Sequence, residues 1–305
     1  MSRIYDALQR AELERIATQE PEVIQDAGRE VVSGIEKPPA AEDAVVLDNI
    51  ARQPWKLSLS SFPTLAERGD VVEQFRSLRS RVQQARYEAP LKTILISSGM
   101  LAEGKTFVAA NLAMSLARSS ANHILLIDGD MRRPAIHTLL GAPNTPGLSE
   151  YLAGAAELND ILQRDCSPKT VESSSSRSIT NLTFIPAGMC SDNSSELAGN
   201  HRIEKMIGTL SPHFDWILID SPPVLVVTDA VELARAADAV LLVARAEYTP
   251  FDVARQAQAA FNKSRILGFV LNDVKDSPRI RPYYYYGGVE AGNVASYGKD
   301  RRKRG

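Results

Sequence analysis

"TILISSGMLAEGKTFVAANLAMSLARS", Thr93 to Ser119, decides the fold. A short apolar run, a glycine-bearing turn and a long apolar, alanine-rich pattern follow one another, which reads as strand, loop and helix. The turn itself, "GMLAEGKT" (Gly99–Thr106), fits G-x-x-x-x-G-K-[ST] and occupies the strand-to-helix position such a loop requires. Backbone N–H groups at a helix N-terminus lack helical partners and face the positive end of the helix dipole, so they favour phosphate oxygens. Lys105 is placed to reach terminal phosphates, and the Thr106 hydroxyl is an expected Mg²⁺ ligand. The nucleotide contacts expected from the loop are Gly99, Glu103, Gly104, Lys105, Thr106 and Phe107.

Outward from this loop, short apolar runs alternate with helical patterns. "KTILISS" (92–98), "HILLIDGD" (123–130), "LTFIPAG" (182–188), "DWILIDSPP" (215–223), "AVLLVARA" (239–246) and "ILGFVLNDV" (266–274) read as buried strands. Helix-like segments lie at 105–119, 201–211, 229–236 and 250–263, and "DVVEQFRSLRSRVQQARYE" opens the compact part. Strands alternating with helices imply βαβ units, hence an α/β fold with a mostly parallel sheet covered by helices on both faces. Two of the strands end in aspartate: "ILLIDGD" supplies Asp128 and Asp130, and "WILIDSPP" supplies Asp220. Carboxylates at the C-terminal ends of strands fall on the ligand-binding edge of an open α/β sheet. There they can hold Mg²⁺ through waters, the usual arrangement beside nucleotide phosphates.

The rest of the 305-residue chain sets bounds. Its apolar content of 44% allows a sizeable core, and a net charge of −2 predicts no attraction to nucleic acid. Charge is uneven, with 7 basic and 11 acidic side chains in residues 1–60 against 8 and 3 in residues 275–305. Two cysteines, Cys166 and Cys190, are too few for a disulfide scaffold and suit a cytosolic protein. No run of about 18 apolar residues is present to span a membrane, and the start "MSRIYDALQRAELERI" is not a signal peptide. Residues 1–17 read as a short amphipathic helix and 18–62 as a Pro- and acid-rich linker, together a flexible N-terminal segment (1–62). The compact domain is expected at 63–275, interrupted by a polar loop at 165–180, and a mobile tyrosine-rich basic tail at 276–305. None of the four histidines has metal-ligand spacing, so no zinc site is expected.

A P-loop beside two acidic strand ends, the first as apolar-apolar-apolar-Asp-x-Asp and the second as apolar-apolar-apolar-Asp-x-x-Pro, resembles the Walker A, A′ and B boxes of bacterial tyrosine kinases of capsule and exopolysaccharide loci. "SSGMLAEGKT", "DGDMRRP", "GLSEYLAG", "IPAG", "SSEL" and "DSPPVLVVTDA" are similar to that family too, across about residues 65–275. The resemblance implies a P-loop NTPase fold, ATP and Mg²⁺ as cofactors, and phosphorylation of tyrosine. It implies catalytic roles for Lys105, Asp128, Asp130 and Asp220: Asp130 accepts the tyrosine proton, while Thr106, Asp128 and Asp220 form the metal shell. The family's usual Pro-Gly before Glu-Gly-Lys is Leu101-Ala102 here, a departure that bears on the loop path.

The family phosphorylates a C-terminal tyrosine cluster, which makes Tyr283, Tyr284, Tyr285, Tyr286 and Tyr297 the expected acceptors. Glu73, Arg76 and Arg79, spaced i, i+3 and i+6 along one side of a helix, match its E-x-x-R-x-x-R subunit-contact motif and imply a ring-like homo-oligomer. A separate membrane-bound polysaccharide chain-length regulator is the implied activator, recruiting a cytoplasmic kinase to the inner face of the plasma membrane. Arg132 and Arg133 could meet phosphate or a neighbouring subunit, and Asn272 could touch adenine or cap a turn. Two further readings stay open. One is a partitioning or site-selection ATPase, which usually has an early lysine in the loop where this chain has Met100. The other is a non-catalytic scaffold of a polysaccharide export complex.

Overall fold

In the computed structural model, the described residues are 50–118, 122–166, 181–190, 194–199 and 201–275. The N-terminal helix expected at 1–17, most of the polar loop and the tyrosine tail lie outside them. Eight strands form one sheet: β1 (Ala51–Gln53), β2 (Thr93–Ser98), β3 (Ile124–Asp128), β4 (Gln163–Asp165), β5 (Leu182–Ile185), β6 (Trp216–Asp220), β7 (Ala239–Arg245) and β8 (Ile266–Asn272). Their spatial order is β1-β4-β5-β3-β6-β2-β7-β8. All pairings are parallel except β4 with β5. The eight described α-helices are α1 (Asp70–Glu88), α2 (Lys105–Ala117), α3 (Ile136–Leu140), α4 (Leu148–Ala153), α5 (Ser194–Ala198), α6 (Arg202–Leu210), α7 (Asp229–Leu233) and α8 (Phe251–Ala260).

The central strands β2, β3, β5 and β6 are buried at every position. Successive side chains of a strand point to opposite faces, and both faces are covered. Ile94, Ile96, Leu126 and Leu218 join one core with Phe75 and Val82 of α1 and nearly all of α2. Leu95, Leu125, Ile127, Ile217 and Ile219 join the other with Ile203, Met206 and Leu210 of α6 and Ala257 of α8. That is why these strands read as continuous apolar runs: a sheet buried on both faces leaves no solvent side for polar alternation.

α2 differs from the other helices in being buried from Val108 to Ala117, because the sheet covers one flank and α1 another. α1 is amphipathic, burying Val72, Phe75 and Val82 at helical spacing while its other side faces solvent.

Four expectations are corrected. Part of the supposed linker packs into the body: Ile50, Trp55 and Phe62 are 4%, 4% and 0% exposed. The Trp55 backbone N–H donates to Asp165 Oδ1 at 3.1 Å, so the polar loop also begins after Asp165 rather than at it. The six expected strands gain β1 and β4, each three residues long. Strands that short carry no readable period. β8, expected to be buried, is an edge strand with Phe269 and Leu271 exposed. Among the described residues no strand covers its outer side as β2 and β8 cover β7.

Candidate active site

β3, β6 and β2 are consecutive in the sheet, and the register pairs Asp128 with Asp220 and Ile96 with Asp220. The two acidic strand ends are therefore bound into adjacency by the backbone ladder. The loop leaving β2 lands beside them. Gly129 makes the close approach possible: its N–H donates to the Asp220 carbonyl at 2.9 Å, and a Cβ there would lie 2.6 Å from that same oxygen.

The loop runs from Gly99 to the first turn of α2, with Gly104 as N-cap in the left-handed region at φ 90°. A Cβ on Gly104 would stand 2.0 Å from Asn272 Nδ2, which donates to the Glu103 carbonyl at 3.0 Å. Asn272 thus braces the loop from the end of β8. Glu103 is turned inward and 1% exposed. Its carboxylate accepts the Met100 N–H at 2.6 Å and the Thr249 hydroxyl. Its side chain supports the loop and is not free for a nucleotide. The Leu101-Ala102 substitution leaves Ala102 at φ 61°, a left-handed conformation that costs a residue with Cβ about 1–2 kcal/mol. The phenyl ring of Phe107 packs edge-on against Phe75, centroids 6.0 Å apart.

Four of the sequence-predicted residues converge. Lys105 Nζ lies 3.0 Å from Asp130 Oδ2 and 4.0 Å from Asp220 Oδ2. The Thr106 hydroxyl donates to Asp220 Oδ2 at 2.6 Å. Burial works against the Lys105 ammonium, but Asp220 and Asp130 outweigh it and hold its pKa above the ordinary value. Asp128 accepts backbone N–H groups from Ala135 and Ile136 at 3.0 Å and from Asp130 at 3.2 Å. Even so, burial, with the Asp220 charge added, pushes its carboxyl up to about 7. Burial likewise raises Asp220 to about 6, against the pull of Lys105 and the Thr106 hydroxyl. Raised carboxylates packed together at a sheet edge mark a place where a cation is wanted.

Mg²⁺ fits these residues. Asp220 Oδ1 is buried without a hydrogen-bond partner, and the Thr106 hydroxyl is on the same carboxylate. Among the described residues no three His, Cys, Asp or Glu side chains form a closed metal cluster. Asp128, with both oxygens engaged by N–H groups, is the least available for direct ligation.

Sequence reasoning missed the supports. Thr249 and Asn272 fix the loop as described. Arg132, left open between phosphate and a neighbour, is committed to Asp229, with Nε 3.1 Å from its Oδ2, and to Ser195 Oγ at 3.0 Å. Asp229 also accepts Ser194 Oγ at 2.6 Å and the Ser195 hydroxyl. Burial alone would raise the Asp229 pKa; the two hydroxyls and the guanidinium hold it low. Arg133 is exposed, and its N–H donates to Asp130 Oδ1 at 3.0 Å. The quoted stretches "DGDMRRP", "SSEL" and "TDA" are thus one network. "GLSEYLAG" and "IPAG" are another, through Leu148 N–H to the Pro186 carbonyl at 2.8 Å and Ser149 N–H to the Ala187 carbonyl at 2.9 Å. Of the expected subunit contacts, Glu73 and Arg76 are exposed and paired at 2.5 Å. Arg79 instead folds onto α2, donating to the Ser115 carbonyl at 2.7 Å.

Comparison with known proteins agrees with this geometry. Residues 91–262 match the family described as AAA domain. The putative tyrosine-protein kinase CapB of Staphylococcus aureus is 32% identical over 219 residues, 71% of this chain and 90% of CapB. Tyrosine-protein kinase Wzc of Salmonella typhimurium is 34% identical over 70% of this chain, which spans only 28% of Wzc. Among solved structures, the kinase domain of Escherichia coli tyrosine kinase ETK has TM-score 0.64 at 30% identity, covering 74% of this chain and 85% of that one. The chimerical protein CapA2B2 has TM-score 0.63 at 28% identity, covering 72% and 92%. The Pyrococcus horikoshii septum site-determining protein MinD, complexed with Mg-ADP, is more distant: TM-score 0.50, 27% identity, coverage 62% and 72%. With its P-loop, its paired acidic strand ends and these relatives, the chain belongs to the bacterial tyrosine-kinase family.

Proposed function

We propose that this protein is an ATP-dependent protein-tyrosine kinase that phosphorylates its own C-terminal cluster, Tyr283, Tyr284, Tyr285, Tyr286 and Tyr297, and thereby regulates exopolysaccharide or capsule synthesis and export. The observation that carries this reading is the convergence of Lys105, Thr106, Asp130 and Asp220 at one sheet edge, with an unpartnered carboxylate oxygen among them. The amides of Gly104, Lys105 and Thr106 at the start of α2 cradle phosphates. Lys105 neutralises their charge. Thr106 and Asp220 hold Mg²⁺, and Asp128 adds negative charge behind them. Bound Mg²⁺ supplies charge neutralisation at the transferring phosphoryl group.

Asp130 is the residue for the phenolic proton. Its Oδ2 accepts a hydrogen bond from Lys105 Nζ at 3.0 Å. A nucleotide phosphate competes for that ammonium, and drawing Lys105 away frees the carboxylate to act as base. Binding of the first substrate therefore prepares the base for the second.

Glu73, Arg76 and Arg79 of α1 are the proposed subunit contacts of a ring-like homo-oligomer, in which the tail of one subunit reaches the site of the next. A membrane-bound polysaccharide chain-length regulator is the proposed activator, with the kinase recruited to the cytoplasmic face of the membrane. The likeness to the CapA2B2 chimera supports a two-component arrangement. No described helix is long and apolar enough to cross a membrane.

The test is mass spectrometry of protein incubated with Mg-ATP, on wild type and on a variant with all five cluster tyrosines replaced by Phe. Phe keeps the ring and removes only the nucleophilic oxygen. The variant is expected to lose most phosphotyrosine with ATP affinity unchanged. Phosphate release without any phosphotyrosine in the wild type would favour the site-selection ATPase reading, and an unfolded variant would mean that the tyrosines pack against the domain.

A further inference from the structure

At the far end of α2 from the P-loop, three guanidiniums share one cleft of about 200 Å³. Arg76 and Arg79 come from α1 and Arg118 from the C-cap of α2; Thr64, Val72 and Ser115 complete the lining. Thr106 and Arg118 are separated by twelve helical steps, about 18 Å, so this cleft is distinct from the nucleotide site. Cations at a helix C-terminus commonly satisfy its free carbonyls. Arg79 Nη1 does so on the Ser115 carbonyl at 2.7 Å, and Arg118 Nη1 bridges the Thr64 and Ala66 carbonyls at 2.5 and 2.7 Å. That duty uses one nitrogen of each fork. Among the described residues the other donors of both guanidiniums have no partner, and no carboxylate lines the cleft. Arg76 is exposed and is countered only by Glu73. Burial, and then the charges of Arg76 and Arg118, lower the Arg79 pKa, and Glu73 pairs with Arg76, so the cleft keeps a net positive charge.

We propose that this cleft binds a dianionic phosphoryl group. With Glu73 countering one of the three arginines, two positive charges remain, balanced better by two negative charges than by one, and guanidinium forks match phosphoryl oxygens in pairs. The inference does not depend on kinase activity, because it concerns binding alone. The source is either an aryl phosphate, as on a phosphorylated tyrosine, or free inorganic phosphate.

The experiment is calorimetric titration of the full chain with saturating Mg-ADP in the P-loop. At about pH 8 the phosphoryl group is doubly charged, since the second pKa of a phosphomonoester is about 6. The probes are phenyl phosphate, inorganic phosphate and, as a monoanionic control, phenylacetate. Saturable binding of the phosphates is expected, with phenylacetate at least about tenfold weaker. Arg76→Gln, at an exposed position that leaves the fold alone, should weaken phosphate binding by roughly tenfold or more, as for loss of a charged hydrogen bond. Because Arg76 and Arg79 are also proposed subunit contacts, wild type and variants are titrated as monomers, checked by light scattering. Arg79→Lys keeps the charge and loses the fork, so it should weaken binding as well. Arg255→Gln removes a comparable surface arginine on α8 and should change nothing. Phenyl phosphate binding more tightly than phosphate assigns an aryl ester; equal affinities assign the free ion. Absence of saturable binding, undiminished binding by Arg76→Gln and Arg79→Lys, or phenylacetate as tight as phenyl phosphate would overturn the proposal.

Discussion

Asp128, Asp220 and Asp229 are all fully buried near the same sheet edge, yet the first two are pushed toward neutrality and the third is held ionised. Burial raises the pKa of all three; the difference lies in what stands beside them. Asp229 has a guanidinium, whereas Asp128, though three backbone N–H groups reach it, faces the Asp220 carboxylate. Asp229 has two serine hydroxyls and a guanidinium on its oxygens. Asp128 and Asp220 face each other across the β3–β6 ladder, and one Asp220 oxygen has no partner. A buried charge that the fold satisfies is structural; a buried charge left short of partners is a demand for a ligand. Two substitutions at the unsatisfied site test its function, and one on each side tests the energetics.

Lys105→Met should have the largest effect. It removes the one cation of the cluster and should lower tyrosine phosphorylation by on the order of a thousandfold, with the circular dichroism spectrum unchanged. Full activity in a folded variant would sink the P-loop assignment.

Asp130→Asn keeps the shape but cannot accept a proton. Transfer should fall on the order of a hundredfold while nucleotide affinity, followed by ADP titration, changes little. Equal losses would move Asp130 to the metal shell.

On the satisfied side, Asp229→Ala strands Arg132, Ser194 and Ser195. A destabilisation of roughly 2–3 kcal/mol is expected in a denaturant melt, discounted because the Arg132 side chain is 34% exposed. Little loss would mean that the network is ornamental to the fold.

Asp220→Asn is the mirror experiment and the smallest effect. The folded-state pKa of Asp220 is raised from 3.8 to about 6. Its favourable contribution is therefore complete below pH 3.8 and lost as pH rises through about 6. An amide escapes that loss. The inactive variant should be more stable than wild type without ligand, on the order of 1 kcal/mol at pH 8, since part of the gain is offset by the Lys105 partner it forfeits. The advantage should vanish near pH 4. A variant less stable than wild type at pH 8 would show that Lys105, not burial, dominates at Asp220.

Most of the fold and the chemistry-bearing side chains were legible in the chain. Five of the six expected strands, β2, β3, β5, β6 and β7, are buried and stand out as apolar runs, and the aspartates stand where two of those runs stop. β8 is apolar in sequence but lies at the sheet edge. β1 and β4 did not show, because three-residue strands are made by their neighbours. The fold-back of Arg79 did not show either: the E-x-x-R-x-x-R spacing gives a shared helix side, whereas a carbonyl of α2 decides where the guanidinium goes.

The chain by itself determined the P-loop, the strand-end carboxylates and the α/β order, because each is written in a local pattern of period, glycine placement and charge. Only the tertiary structure decided which carboxylates go unsatisfied. The partners of Glu103, Asp229 and the loop carbonyl are 146, 97 and 169 residues away in sequence. The facing of Asp128 and Asp220 follows from the register of two strands distant in sequence. Burial and charge act through space, so the state of a carboxylate is settled by what folding brings beside it.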